Sequence, residues 1–271
     1  MVTTSSTGKT VRMERLSRHG DGRYLFIPMD HSVSDGPIAS AAGVERLVRQ
    51  VCAGGADAVI VHKGRAHVVA PLLGGRHALV VHLSASTAQA SDTDAKVLVG
   101  NVEEAVALGA DAVSVHVNLG SDTEVAQLHD LGVVGAVCDR WGMPLLAMVY
   151  PRGPRVADPT RADLVAHAVA VATDLGVDIV KTVMTRPAAD MADVVAGTHI
   201  PVVVAGGAGD GADVEAFAST ALASGCRGLA VGRRVFTSSD PERTVRALAA
   251  IVHGRDASPA TPTRAEMVGV S

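Results

Sequence analysis

The sequence predicts a single-domain α/β protein built as a closed (β/α)8, or TIM, barrel, and three observations carry that prediction. Eight short apolar runs recur along the chain, each followed by helix-like sequence, the pattern of a parallel sheet covered on its outside. The joints echo one another: "GGADAV" (54–59), "LGADAV" (108–113) and "LGVDIV" (175–180) each end a helix on glycine and run into a strand. Eight such units in about 250 residues match the size of the fold. A doubly wound sheet is the competitor, but it rarely shows eight units of such regularity.

The strands are read at 23–30, 57–63, 77–84, 111–117, 143–150, 177–183, 200–206 and 227–232. Asn101 with Glu104, and Ser121 with Glu124, have the spacing of capping boxes. Asp158-Pro159 and Asp240-Pro241 read as an N-cap followed by proline at the first helical position. Leu164, Val165, Ala168, Val169, Ala172 and Leu175 mark one helical face, which Gly176 ends in the left-handed region. Residues 1–20 form an N-terminal extension, 21–254 the barrel, and 255–271 a mobile tail; 86–96 is an irregular loop.

The bulk composition excludes several classes. The 271 residues are 48% hydrophobic and 19% charged with a net charge of −4, which offers no footprint for nucleic acid or an anionic membrane. No apolar run approaches the roughly 20 residues of a membrane span, and the N-terminus lacks the apolar core of a signal peptide. Cys52, Cys138 and Cys226 lie far apart in helix-like apolar settings, giving neither a disulfide framework nor a zinc site. Cytoplasm is the expected location.

Function in a barrel gathers at the C-terminal ends of its strands. There the sequence places Asp30, His31, His62, Lys63, His82, His116, Tyr150 and Lys181, then Gly206-Gly207 and Gly232-Arg233. Lys181 is the anomaly, a lysine inside an apolar strand on one face with Val177 and Ile179. Only four lysines occur (Lys9, Lys63, Lys96 and Lys181) among 24 basic residues, so one inside a strand is less easily incidental. A free lysine amine has a pKa of about 10.4, so roughly one in 2,500 is neutral at pH 7. Desolvation enlarges that share and yields a nucleophile that condenses with a ketone; loss of a proton from the iminium then gives an enamine able to attack an aldehyde. The bland alternative is a lysine snorkelling to water or paired with Asp30.

Tyr150 is a candidate proton shuttle or a core tyrosine, and Asp30 a substrate-binding carboxylate or a helix N-cap. The four histidines are candidates for a divalent-metal ring, although no HxH or HExxH pair supports one. Glycines after both strands 7 and 8, with Arg233 or Arg234 beside them, point to phosphate at the usual place for barrels. "TTSSTGKT" (3–10) lacks the first glycine and the preceding strand of a P-loop.

These residues carry a resemblance. "PMDHSVSDGPI" (28–38), "VLVGNVEEAVALGADAVSVHVNLGSD" (97–122), "WGMPLLAMVYPRG" (141–153), "DIVKT" (178–182), "PVVVAGG" (201–207) and "GLAVGRRVF" (228–236) closely resemble the archaeal-type class I aldolases. Within them the sequence is most similar to the 2-amino-3,7-dideoxy-D-threo-hept-6-ulosonate synthases, over about residues 20–253. The resemblance implies a Schiff base on Lys181, acid/base work by Tyr150 and assistance from Asp30. It implies phosphate on the Gly206, Gly207, Gly232 and Arg233 loops; His31, His116, Arg152 and Arg186 are the candidate substrate contacts. It further implies sugar-phosphate and aldehyde substrates, a homo-oligomer, and no metal or cofactor.

Where relatives carry "KTNYTGD", this chain reads "KTVMTRP", so Val183, Met184, Arg186 and Pro187 border the mouth with different chemistry. Arg186 is placed to meet an acceptor carboxylate. The arginine-rich composition of a GC-rich bacterium favours a secondary-metabolism aldolase that joins dihydroxyacetone phosphate to aspartate semialdehyde, on a route to 3-amino-4-hydroxybenzoate. The alternatives are the synthase of the alternative aromatic pathway, a fructose-bisphosphate aldolase, a metal-dependent barrel enzyme and a non-catalytic sugar-phosphate-binding barrel.

Overall fold

A computed structural model describes residues 4–206 and 213–254. Eight parallel strands close a barrel: β1 (Tyr24–Pro28), β2 (Ala58–His62), β3 (Ala78–His82), β4 (Ala112–Leu119), β5 (Leu145–Pro151), β6 (Ile179–Thr182), β7 (Val202–Ala205) and β8 (Gly228–Ala230). They follow one another around the barrel in chain order, and β8 closes on β1 through the pairs Tyr24–Gly228 to Phe26–Ala230. All eight expected strands are present, most of them shorter than read. Val177 precedes β6 and packs in the outer layer, whereas Ile179 points into the lumen.

Strand alternation sorts the apolar side chains into two cores. Phe26, Ile60, Val80, Leu146, Met148, Ile179 and Val203 fill the lumen. Leu25, Ile27, Val59, Val81, Val113 and Val204 point outward under the helices. The helix Ala41–Gly54 shows how the covering layer is specified. Ser40 caps its first turn by accepting from Gly43 N; Val44, Leu47, Val48 and Val51 face the barrel; and Gly55 ends it at φ +101°.

The echoed joints have a structural purpose. Asp57, Asp111 and Asp178 each open a strand and accept a hydrogen bond from the first N–H groups of the preceding strand, on Leu25, Leu79 and Leu145 respectively. Three identical stitches therefore hold alternate strand pairs in register at the N-terminal rim, where those donors lack a ladder partner. The N-terminal extension forms the helix Thr4–Leu16 across this rim. Leu16 and Met13 stop the lumen against Tyr24 and Phe26. Lys9 pairs with Asp178 at 3.0 Å, Arg15 with Asp111 at 3.2 Å and Arg18 with Asp57 at 3.9 Å, one cation per stitch.

The Asn101–Glu104 capping box forms in full, and Asp240 caps the helix Pro241–His253 by accepting from Arg243 N. Two other expectations need correction. No Ser121–Glu124 box exists: Thr123 is the N-cap, Ser121 Oγ accepts from Thr123 N, and the Glu124 carboxylate turns back to Gly120 N. Asp158 does not start a helix either, because its carboxylate closes a turn onto Thr160, and the helix Ala162–Asp174 begins three residues later with Arg161 as N-cap. On that helix Val165, Ala168, Val169 and Ala172 are buried, but Leu175 is exposed. Gly176 does adopt φ +76°. Cys226 sits in the turn before β8 rather than in a helix. Among the described residues no helix is long and apolar enough to cross a membrane. The tail at 255–271 lies outside the described residues.

Candidate active site

The C-terminal mouth opens into a cavity of about 950 Å³. Asp30, His31, His116, Tyr150, Arg152, Lys181, Arg186, Gly206, Gly232 and Arg233 all line it; Gly207 lies outside the described residues.

Lys181 shares the lumenal face of β6 with Ile179 and is only 7% exposed. It is in register with Met148 on β5 and Val203 on β7, and its Nζ donates to the Met148 sulfur at 3.8 Å. Among the described residues no carboxylate is in hydrogen-bond contact with it. Two residues beyond Met148 on the same face is Tyr150, 7% exposed. Its ring meets the His116 ring at a centroid distance of 5.0 Å, and the Arg152 guanidinium lies 5.4 Å from its centroid. The loops behind these residues touch backbone to backbone. Gly153 at φ +144° sits so close to Gly120 that a Cβ there would be 2.1 Å from the Gly120 carbonyl oxygen.

Asp30 occupies the N-cap position of the short helix His31–Ser34 but makes no capping bond with its side chain, so its carboxylate is turned to other partners. His82 Nε2 lies 3.8 Å and His31 Nδ1 3.5 Å from its two oxygens. Burial pushes the Asp30 carboxyl up, but the His82, His31 and Lys181 charges outweigh that and hold it below its ordinary value. His82 is itself pushed down to about 4 by burial against the pull of Asp30. Among the described residues Asp30 Oδ1 and His31 Nδ1, which face each other at 3.5 Å, are both buried without a hydrogen-bond partner.

Three of the four strand-end histidines are engaged with the protein. His82 Nδ1 bonds Ser114 Oγ at 2.8 Å, His62 Nδ1 meets the His82 carbonyl at 3.1 Å, and His116 Nε2 bonds Asn118 Oδ1 at 2.8 Å. Burial lowers His31, His62 and His116, the last of them well below its ordinary value. Among the described residues the one group with three metal-capable atoms within 4.8 Å of one another is His19, Asp57 and His253, near the opposite rim.

On the far side of the mouth, Gly206 donates its N–H to the Ala230 carbonyl at 3.0 Å, so it offers space rather than a donor. Gly232 is tighter still, since a Cβ would stand 2.7 Å from the Pro28 carbonyl oxygen and 2.6 Å from His31 Cε1. Arg233 and Arg234 follow it on the cavity wall. Sequence reasoning passed over Met148, Ser114 and Lys96, all drawn to the site. Only Lys96 left a signal, in the scarcity of lysine.

The fold and the buried lysine on the sixth strand, with a tyrosine one strand away, are those of an aldolase barrel. Residues 24–238 match the family model of the DeoC/LacD family aldolases, and the chain belongs to that family. It is 44% identical over 255 residues, 93% of each chain, to the 2-amino-4,5-dihydroxy-6-oxo-7-(phosphonooxy)heptanoate synthase of Streptomyces griseus. To the 2-amino-3,7-dideoxy-D-threo-hept-6-ulosonate synthase 1 of Archaeoglobus fulgidus it is 45% identical, over 91% of this chain and 92% of that one. Among solved structures, an archaeal fructose-1,6-bisphosphate aldolase with its catalytic lysine bound to a carbinolamine intermediate superposes with a TM-score of 0.80. That pair is 27% identical, and the match covers 91% of this chain and all of the other.

Proposed function

We propose that the protein is a class I aldolase that joins dihydroxyacetone phosphate to L-aspartate 4-semialdehyde, giving 2-amino-4,5-dihydroxy-6-oxo-7-(phosphonooxy)heptanoate. The observation that carries the reading is the Lys181 amine, buried in the cavity with a thioether as its hydrogen-bond acceptor. An unlocked amine can attack a ketone, whereas one bound in an ion pair is held charged. The 44% identity to the Streptomyces griseus synthase supports this choice of substrates.

The Lys181 amine adds to the ketone carbon of the donor, and the carbinolamine loses water to give an iminium. A proton leaves the hydroxymethyl carbon, and the resulting enamine attacks the aldehyde carbon of the acceptor. The aldehyde oxygen takes up a proton, and water then hydrolyses the iminium to release product and amine. Tyr150 takes the proton that leaves the hydroxymethyl carbon and supplies the one that reaches the aldehyde oxygen, its ring fixed by His116 and Arg152. Asp30, whose carboxylate lines the cavity, binds donor hydroxyls beside Lys181. His31 and His116 flank the donor, and Gly232 with Arg233 receives its phosphate. Arg186 adds a cation at the rim.

The same reading places a homo-oligomer in the cytoplasm. The thiols of Cys52, Cys138 and Cys226 are free, which suits a reducing compartment. Val125, Val133 and Trp141 are exposed on the helix Glu124–Trp141, where a second copy would cover them.

The test is product analysis by mass spectrometry and phosphorus NMR after mixing enzyme with both substrates. A seven-carbon phosphorylated amino acid is expected. Product from a deoxyketohexose phosphate but not from dihydroxyacetone phosphate would assign the aromatic-pathway reaction instead.

A further inference from the structure

Of the four lysines, two are accounted for on the surface: Lys9 pairs with Asp139 and Asp178, and Lys63 with Glu104. The other two, Lys181 and Lys96, line the same cavity. Lys96 lies in the segment between β3 and β4, which leaves the barrel through a two-residue antiparallel ladder of Ser84–Ala85 against Val97–Leu98. This flap is pinned from below, because Asn118 Nδ2 and Gln127 Nε2 both donate to the Asp94 carbonyl at 2.9 Å. The Lys96 amine donates to Ser86 Oγ and, at 2.9 Å, to the Thr93 carbonyl. Both acceptors are neutral, and an ammonium has three donors, so one remains for the cavity.

The topology decides what that donor meets. The strands follow one another in chain order around the barrel, so the β3–β4 side faces the β7–β8 side across the mouth. The donor phosphate goes to Gly232 and Arg233 on the latter side. The carbon–carbon bond forms at Lys181 between the two, which leaves the far end of the acceptor beside Lys96. Arg152, Asp94, Asp35 and Asp30 line the cavity with Lys96; burial and the Arg152 charge lower the Lys96 amine, and the three carboxylates pull the other way. A site that sets two cations among carboxylates fits a zwitterion, with a carboxylate on the cations and an ammonium toward Asp94 and Asp35.

We propose that Lys96 is a specificity-determining residue that holds the carboxylate of an α-amino-acid aldehyde acceptor, with Arg152 beside it. The inference rests on the aldolase reading above and deepens it. The measurement compares the KM for aspartate semialdehyde with that for propionaldehyde, using dihydroxyacetone phosphate as donor. Lys96→Met is expected to raise the first KM roughly 10- to 100-fold, the loss of one charge-assisted bond, and to leave the second unchanged. Lys96→Arg is expected to regain part of the loss. Borohydride trapping of the donor should be the same in all three proteins.

An equal rise for both aldehydes would overturn the proposal and make Lys96 a packing residue of the flap. A weakened donor would move it to the phosphate side, and a selective rise in Arg186→Met alone would transfer the role to Arg186. Wild-type enzyme that traps no dihydroxyacetone phosphate would defeat the donor assignment instead. The aldehyde comparison, run with whichever ketose phosphate does trap, would still read Lys96.

Discussion

Lys181 and Met148 are register partners on neighbouring strands, and the lysine amine donates to the methionine sulfur at 3.8 Å. A thioether is a weak, neutral acceptor, so it desolvates the amine without holding its charge. Met148→Glu would place a carboxylate at that position and favour the ammonium over the nucleophile. The expected result is a fall in kcat of roughly 100-fold, because a carboxylate in contact favours the charged amine. Met148→Leu should remain within a few-fold of wild type, because volume is kept. Steady-state rates of the two variants check this directly.

Tyr150→Phe removes the hydroxyl and leaves the ring on its neighbours His116 and Arg152. If the hydroxyl carries protons, kcat should drop roughly 10²- to 10⁴-fold. The Schiff base should still accumulate, because the amine is intact. Loss of trapping together with kcat would show that Tyr150 acts before the iminium forms.

His82 makes stability fall in acid. Burial holds its imidazole at about 4 in the folded protein, against about 6.5 when unfolded. As pH drops from about 6.5 to 4, the unfolded chain takes up a proton that the folded chain refuses, costing up to about 3 kcal/mol. In His82→Asn that contribution is absent. Urea midpoints at pH 7 and pH 5 should therefore differ less in the variant than in wild type, and an equal drop would contradict the assignment.

His253 has the opposite sign. Burial lowers its pKa, but hydrogen bonds and charges from Asp57 and Asp21 outweigh burial and raise it. Its Nδ1 is 2.7 Å from Asp21 and its Nε2 3.2 Å from Asp57, tying the last helix to the stitched rim. The stabilisation is complete below about 6.5 and is lost as pH rises through the raised value. His253→Gln should cost about 3 kcal/mol at pH 6 and clearly less at pH 9, as read by urea unfolding.

Much of this was legible in the chain because the signals are local. A strand's apolar run, a glycine at the end of a helix and a lysine within a strand are all visible over a few residues. The repeated aspartate of "GADAV" was visible as a pattern, yet its purpose was not, because each acceptor finds its donor 32 or 33 residues away. Asp158-Pro159 misled for a related reason: a capping aspartate serves a turn as readily as a helix, and tertiary context chooses. Lys96 was hidden because a loop lysine looks solvated until the flap that carries it is seen folded over the mouth. Gly206 reads as part of a phosphate cradle in sequence, but its own N–H goes to the Ala230 carbonyl; the glycines that follow it lie outside the described residues.

The central claim is that Lys181 is the covalent nucleophile. Enzyme should be incubated with dihydroxyacetone phosphate in the presence of a chelator, reduced with borohydride, digested and mapped by mass. A stable adduct is expected on the peptide containing Lys181, present with chelator and absent from Lys181→Ala. An adduct on another lysine, or no adduct with either this donor or a deoxyketohexose phosphate, would contradict it.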